Sequence, residues 1–311
     1  MIVSGCEEGV VLATKLSDDL NLLGNSAENI GAMTLKHEMH KRLAENGLRY
    51  IRGKIIKSVD EAIEFYDDES LNEVVVKPIR SAGSCNVRIC LNKQEMVDAI
   101  EELMGKTGYY GGNVQELLIQ ERIDGDEYIV NTVSSDGWHR VTTIWKYSKI
   151  KTAEGAMIYD TMETVNTLGI SEAEMVEYAY KVADAIGIKY GSIHGEYMID
   201  KGGPVLIEVN CRPCGANMPA KFLDEVSGQH ETDSILDSYL KPVRFRQKAL
   251  QKYRLQRYGA LKMFIVPEDI VARSTPMVDI GPNLKSYFKA VFDEMDEDGV
   301  FYIKTEDLGS T

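Results

Sequence analysis

One short hairpin places two acidic side chains opposite each other, and that constrains the chain more than anything else in its sequence. The runs GSIHGEYMID (191–200) and VLIEVN (205–210) are extended in character and are joined by KGGP (201–204), a Gly/Pro turn. With the turn centred on Gly202, Glu196 stands directly opposite Glu208. Like charges across a strand pair are destabilising unless positive charge lies between them. Side chains alternate faces along a strand, so His194, Glu196 and Met198 share one face, as do Glu208 and Asn210 on the partner strand. Two carboxylates and an amide oxygen then converge. This all-oxygen set suits Mg²⁺, which completes its shell with water and substrate phosphates. The bland alternative is a solvated sheet face, but Val205, Leu206, Ile207 and Val209 argue for a buried strand.

Charge and composition narrow what such a site could serve. With 35 basic and 49 acidic side chains among 311 residues, the formal charge is 35 − 49 = −14. No nucleic-acid partner is expected, because neutralising phosphates along a strand needs a concentrated basic surface. An anionic small ligand remains open. The apolar content, 44%, is too high for a disordered chain, and the length suits about two domains or one large α/β unit. No apolar run approaches the roughly 20 residues that span a bilayer, and no signal-like stretch follows Met1. The expectation is a cytoplasmic protein with no membrane role. The sparse cysteines are expected to be reduced thiols, and Cys211 and Cys214, though spaced C-x-x-C, lack the second pair a zinc site needs.

A metal that carries phosphate ligands calls for a phosphate cradle. Neither G-x-x-x-x-G-K-[ST] nor G-x-G-x-x-G occurs. Instead Lys77 closes the β-branched run VVVK and is followed by Ser81, Ala82, Gly83 and Ser84, small residues whose backbone N–H groups can approach phosphate oxygens closely. An ordinary hairpin tip is the competing reading. The segment QERIDGDEY (120–128) leaves an apolar strand for an acidic turn, where peptide groups can meet a base edge and a carboxylate a ribose; a strand end with solvated acids is again the alternative.

Periodicity predicts helices over about 6–20, from a Thr34 cap to Gly47, from a Ser58/Glu61 capping box to about Tyr66, over 93–104, and from Ser171 with Glu174 through Ile186. Strands are predicted at 73–77, 87–91, 117–121, and at 128–133 and 141–147 around the turn dipeptide Asp136-Gly137. The Phe/Tyr/Lys-rich stretch 243–265 reads either as a partner contact or, by its alternation, as the start of a C-terminal sheet. His37 and His40 suit a partly exposed helix face, and Trp138 and Trp145 suit sheet packing, with Trp145 at a pocket border. The fold class is α+β with largely antiparallel sheets, because regular βαβ units are missing.

In this order Lys36-x-x-Met39, VVVKP with SAGS, QERIxGxEY, HGEYM and IEVNCR resemble the ATP-grasp superfamily, in particular its carboxylate–amine ligases that join amino acids. The resemblance spans residues 5–240. It implies an ATP-grasp fold whose two lobes hold ATP between antiparallel sheets, with a small lobe at about 50–120 and a large lobe at about 121–240 within a 34–240 domain. Residues 1–33 would be a remnant of the pre-grasp domain, beginning at the GCEEGV motif, and 241–311 a C-terminal subdomain that ends short of the family pattern. By the same resemblance Lys36 and Lys77 hold ATP phosphates under the lid Ser81, Ala82, Gly83 and Ser84. Glu121, Arg122 and Ile123 line the adenine and Glu127 takes the ribose. Glu196, Glu208 and Asn210 hold Mg²⁺, with Mn²⁺ an acceptable substitute, and Arg212 is the catalytic arginine that steadies the transferring phosphoryl group. His194, Gly215, Lys149, Tyr159 and Asp160 fall at the substrate. The implied activity is ligation through an acyl phosphate of small-molecule amino-acid or carboxylate substrates, compatible with a homodimer. Two alternatives are an ATP-binding remnant or regulatory partner, and another ATP-grasp chemistry such as biotin carboxylation or purine-pathway ligation. The segment IWKYSK (144–149) favours the amino-acid ligases over the latter.

Overall fold

The computed structural model describes residues 1–79, 86–108, 111–151, 157–166, 169–215, 218–263, 270–272 and 301–303. The strands Gly53–Ile56 (β1), Val74–Pro78 (β2), Arg88–Cys90 (β3) and Leu117–Glu121 (β4) form an antiparallel sheet ordered β1-β4-β2-β3. The strands Asp126–Ser135 (β5), Trp138–Lys151 (β6), Met157–Thr164 (β7), Tyr190–Asp200 (β8), Gly203–Asn210 (β9) and Ala260–Lys262 (β10) form a second, ordered β10-β7-β6-β5-β8-β9. Ile270–Ala272 (β11) pairs with Phe301–Ile303 (β12). Every pairing among the described strands is antiparallel, as the α+β reading expects.

Three helices, Gly9–Asp19 (α1), Ile30–Thr34 (α2) and Lys36–Glu45 (α3), precede the first strand. Val59–Asp68 (α4) and Lys93–Leu103 (α5) cover the small sheet, Ile170–Ala185 (α6) covers one face of the large sheet, and Ala220–Ser227 (α7), Glu231–Leu240 (α8) and Pro242–Ala249 (α9) lie on the other. None of the described helices is long and apolar enough to cross a membrane.

Alternation decides which side chains meet. In β2, Val74 and Val76 pack into the cluster with Met96, Ile100 and Leu103 of α5. Lys77 therefore leaves the sheet on the face away from the helices. In the large sheet Tyr128, Val130, Ile193, Tyr197, Leu206 and Val209 face the α6 stripe of Met175, Ala179, Val182 and Ile186, each such buried side chain contributing roughly 1.5–3 kcal/mol. The opposite face carries Glu127, Asn131, His194, Glu196, Glu208 and Asn210 at its middle. Apolar clusters around Trp145 and around Val133, Ile235 and Phe245 flank them.

A bulge sets this phase. Asp200 pairs with Gly203, Met198 with Val205 and Tyr197 with Leu206, so the turn is the two-residue Lys201-Gly202 and not one centred on Gly202. Continued without interruption, that register would put Ile207 opposite Glu196. The ladder slips beside Tyr197, Ile207 becomes the extra residue, and Glu196 faces Glu208. The bulge lets Leu206 and Val209 both face α6 while Glu208 and Asn210 face the other way.

Several local expectations differ from the structure. Thr34 ends α2, its hydroxyl donating to the Ile30 carbonyl at 2.8 Å, and Leu35 takes the cap position of α3. Gly169 caps α6, leaving Ser171 inside the helix. Ser58 caps α4 through the Glu61 N–H at 3.3 Å, but the Glu61 carboxylate returns to the Lys57 N–H. His40 is buried, its Nδ1 accepting from the Ile51 N–H. Residues 242–249 are helical, opened by Pro242 at the first turn, and only β10 joins a sheet, at the edge of the large one.

Gly125 immediately precedes β5, where a Cβ would sit inside contact distance of the Ile199 carbonyl, a backbone atom that cannot swing aside. Gly125→Ala is expected to lower stability by about 1–3 kcal/mol, the cost of overpacking, read as a drop in the urea midpoint.

Candidate active site

The site lies where the α6-distal face of the large sheet meets the end of β2 and the start of α3. Lys36, the first residue of α3, places Nζ 2.5 Å from Glu208 Oε2. Burial opposes the Lys36 charge, but Glu208, Glu196 and Glu7 outweigh it and raise its pKa above the ordinary value. Burial would also raise Glu208, yet Lys36 and Lys77, with a hydrogen bond from Asn210 Nδ2 at 3.4 Å, hold it below the usual carboxylate range. Glu208 is thus kept ionised in a half-buried position. Lys77, 6% exposed, is brought down to about 8, by burial first and then by the nearby charge of Lys36, against the pull of Glu208 and Glu196.

His194 connects this cluster to the sheet. Its Nδ1 lies 2.9 Å from Asn131 Oδ1, Asn131 Nδ2 donates to Thr143 Oγ1 at 2.8 Å, and Trp145 Nε1 donates to the same hydroxyl at 3.1 Å. Its Nε2 lies 3.6 Å from Glu196 Oε1. Burial opposes charging of the ring, and Cys214 and Glu196 beside it carry its pKa above the ordinary imidazole value. The buried polar chain from Trp145 to Glu196 fixes the orientation of the Glu196 neighbourhood.

Glu127 and Lys149 lie on the same face, joined at 2.7 Å. Burial raises the Glu127 pKa against the effect of Lys149. Lys149 also lies 4.5 Å from the Tyr159 ring centroid, and the Tyr147 and Tyr159 rings meet tilted at 44°, their centroids 4.6 Å apart. Arg212 follows β9 directly, its Nη1 donating to the Pro213 carbonyl at 3.1 Å and its Nη2 3.8 Å from Glu7. Gly215 is exposed beside a cavity bordered by Asn131, Trp145 and Glu231.

Lys36, Lys77, Glu196, Glu208, Asn210 and Arg212 thus belong to one constellation, with His194, Glu127, Lys149 and Tyr159 along the same sheet face. Other expected residues stand differently. Ser81, Ala82, Gly83 and Ser84 lie outside the described residues. Glu121 is committed to Arg52, whose Nη2 is 2.7 Å away, and Arg122 to Glu73. The N–H groups of Glu121 and Arg122 already donate to the Arg52 and Glu73 carbonyls, so neither is open to a base edge. Ile123 is half-buried in the turn to β5. Asp160 does not join the site: next to Tyr159 in β7 it takes the opposite face, and it binds Lys262 of β10 and the Thr161 hydroxyl.

Glu7 is a member the sequence reading missed. It precedes α1, lines a small pocket with Lys36, Glu208 and Asn210, and has its pKa raised by burial and by Glu208 while Arg212 and Lys36 act against that. The only signal for it was its place in the GCEEGV motif. Cys211 and Cys214 are free thiols.

The donor chemistry fits a hard cation and a polyphosphate. Glu196, Glu208 and Asn210 offer oxygens, and the nearby His194 has its Nδ1 engaged by Asn131 and its Nε2 turned to Glu196. Lys36, Lys77 and Arg212 supply three cations around that edge.

The ATP-grasp domain pattern matches residues 71–220. The chain is 31% identical to dapdiamide A synthase from Enterobacter agglomerans over 255 residues, covering 81% of this chain and 59% of that protein. The L-amino acid ligase from Bacillus licheniformis superposes with a TM-score of 0.67 at 21% identity, over 87% of this chain and 63% of that one. The D-alanine–D-alanine ligase from Bacillus anthracis complexed with ATP superposes at 0.55 with 19% identity, over 79% and 78%. At these identities the structural likeness speaks for the fold. The chain spans less than two thirds of the curated relative and of the first of these structures.

Lys77 yields a test in which stability and site charge oppose each other. A lysine whose folded pKa is about 8, against about 10.4 unfolded, costs the protein its full penalty below pH 8 and releases it as the pH climbs to 10.4, because over that window the unfolded chain binds more protons. Lys77→Met is expected to stabilise the ligand-free protein at pH 7 by about 3 kcal/mol, with the advantage shrinking towards zero by pH 10.4 in paired urea titrations.

Proposed function

We propose that this chain, which carries an ATP-grasp domain pattern over residues 71–220 and is 31% identical to a synthase over 81% of its length, is an ATP- and Mg²⁺-dependent ligase. It joins the carboxylate of an amino acid or similar acid to an amino-acid amine through an acyl phosphate, releasing ADP and phosphate. The carrying observation is the direct opposition of Glu196 and Glu208 beside Asn210, Lys36 and Lys77. The dapdiamide synthase likeness supports a ligase that acts on small molecules. In this reading residues 34–240 make up the nucleotide-holding unit.

Bound ATP with its Mg²⁺ supplies the phosphoryl group that turns a carboxylate into an acyl donor with a good leaving group. Glu196, Glu208 and Asn210 would hold the metal. Lys36 and Lys77 neutralise phosphate charge, and Lys77, buried and destabilised when alone, gains most from an anionic neighbour. Lys36 is shared with Glu208 in the ligand-free protein and exchanges that partner for phosphate. Arg212 binds the oxygens on which charge develops, where a preorganised donor in a water-poor site is worth more than in bulk. Glu127 takes ribose hydroxyls, and Lys149 with Tyr159 borders the substrate. No side chain is needed as a covalent nucleophile.

Purified protein with ATP and Mg²⁺ is expected to release phosphate only when an acceptable pair of amino acids is present, and EDTA abolishes the release. If no pair in an amino-acid matrix rises above the substrate-free control while the protein still binds ATP, the ligase reading fails. Glu208→Ala and Lys77→Ala are each expected to lower kcat/KM by at least about 10²-fold, the scale of losing one preorganised charge. Near wild-type rates in both would mean the site is elsewhere.

A further inference from the structure

Between β6 and the start of α8 lies a cavity of about 120 Å³, somewhat smaller than the ~150 Å³ that admits a benzene molecule. Its walls join apolar surface from Trp145, Pro213, Met218 and Leu223 to a nearly equal share of polar surface. Asn131 and Thr143 also border it, but their polar atoms are used within the chain that runs from His194 to Trp145. His230 is tied to Asp224 at 2.8 Å.

Glu231 is the exception. Only 7% exposed, it sits at the first position of α8 and lines the cavity. Its Oε2 accepts the Cys214 N–H at 2.9 Å. Its Oε1 is buried with no hydrogen-bond partner among the described residues. A buried carboxylate left half-satisfied costs folding free energy, and an apolar side chain would fill the place without that cost. Burial raises its pKa to about 7, against the influence of the Cys214 N–H, His194 and Arg212. Arg212 thus couples this cavity to the charged constellation across the Cys214 backbone.

We propose that this cavity is the amino-acid subsite: Glu231 accepts a hydrogen bond from the substrate's ammonium group, and the wall of Trp145, Met218 and Leu223 receives a compact apolar side chain. A cation is the partner a lone buried carboxylate lacks, and a small hydrocarbon group is what the remaining walls can bury. The substrate class, though not the occupancy of the cavity, rests on the ligase reading above. Glu231 is a binding residue here, so its loss falls on KM and leaves kcat nearly unchanged.

The chain offers its own reporter. Its two tryptophans are Trp145, in the cavity wall, and Trp138, 40% exposed on the surface. Trp138→Phe leaves the emission to Trp145. Titrating L-leucine into this variant, with ADP and Mg²⁺ present, is expected to shift the emission saturably, and adding Glu231→Gln is expected to weaken leucine at least tenfold. The deaminated analogue 4-methylpentanoate is expected to bind at least tenfold more weakly than leucine to the Glu231 protein and to be indifferent to Glu231→Gln within twofold. The analogue comparison needs no change at Glu231, so it decides the matter even where Glu231→Gln folds poorly. The proposal is overturned if 4-methylpentanoate and leucine bind alike, as they would if Glu231 were merely hydrated. It also falls if a folded Glu231→Gln protein keeps leucine affinity, or if none of alanine, valine, leucine, methionine and phenylalanine moves the emission. Saturable leucine binding with no phosphate release from any amino-acid pair would keep the subsite and remove the ligase reading. Phosphate release at an unchanged amino-acid KM in Glu231→Gln would do the reverse.

Discussion

Two carboxylates held face to face across β8 and β9 cannot persist without positive charge, and much of the surrounding architecture supplies it. Lys36 arrives at the N-terminus of α3, an end that carries the positive pole of the helix dipole, and lies against Glu208. Lys77 arrives from the other sheet, forced off the α4–α5 face because Val74 and Val76 occupy it. Neither lysine is near its acid partners in sequence. The hairpin therefore fixes where α3 must begin and β2 must end, and the two sheets meet over one charged edge. A buried ion cluster of this kind contributes little net stability once its desolvation is counted. Its retention points to use.

Lys77 makes the same argument from the other side. A buried lysine pulled down to about 8 is a standing cost to the ligand-free protein. Lys36 has Glu208 within hydrogen-bonding distance, whereas Lys77 feels Lys36 first and its acids only after. Polyphosphate brought to this edge would relieve Lys77 and release Lys36 from its place-holding contact with Glu208. Binding energy would then come partly from strain removed, which ties ligand affinity to the instability of the free site.

The hairpin was legible because period-two alternation and a Gly/Pro turn are local signals, and so were the strands around Asp136-Gly137, both of whose residues take positive φ as a tight turn requires. The opposition of Glu196 and Glu208 was legible too, although for an incomplete reason: the turn is one position off the assumed centre and the bulge at Ile207 restores the pairing. Nothing local announces a bulge inside VLIEV. Asp160 was misplaced because neighbours in a strand point to opposite faces, and only the pairing of β7 with β6 shows that Tyr159 holds the inner one. Pro242 opens a helix where alternation suggested a strand, since Pro at a first turn costs no hydrogen bond. Glu7 and Glu231 escaped notice because each reads as an ordinary acid near a helix start. Their character comes from burial, and burial is decided by segments distant in sequence.

Placement of the two missed acids completes the electrostatic logic. Arg212 acts on both, 3.8 Å from Glu7 and through its charge on Glu231, and opposes the rise that burial gives the pKa of each. Glu7 belongs to the Lys36–Glu208 side and Glu231 to the apolar cavity. The charge of the arginine that follows β9 is therefore felt both at the Lys36–Glu208 edge and by Glu231 at its cavity. The ligase reading proposed above would use that adjacency, because in it a carboxylate must be phosphorylated and then attacked within one water-poor space, without release of the activated acid.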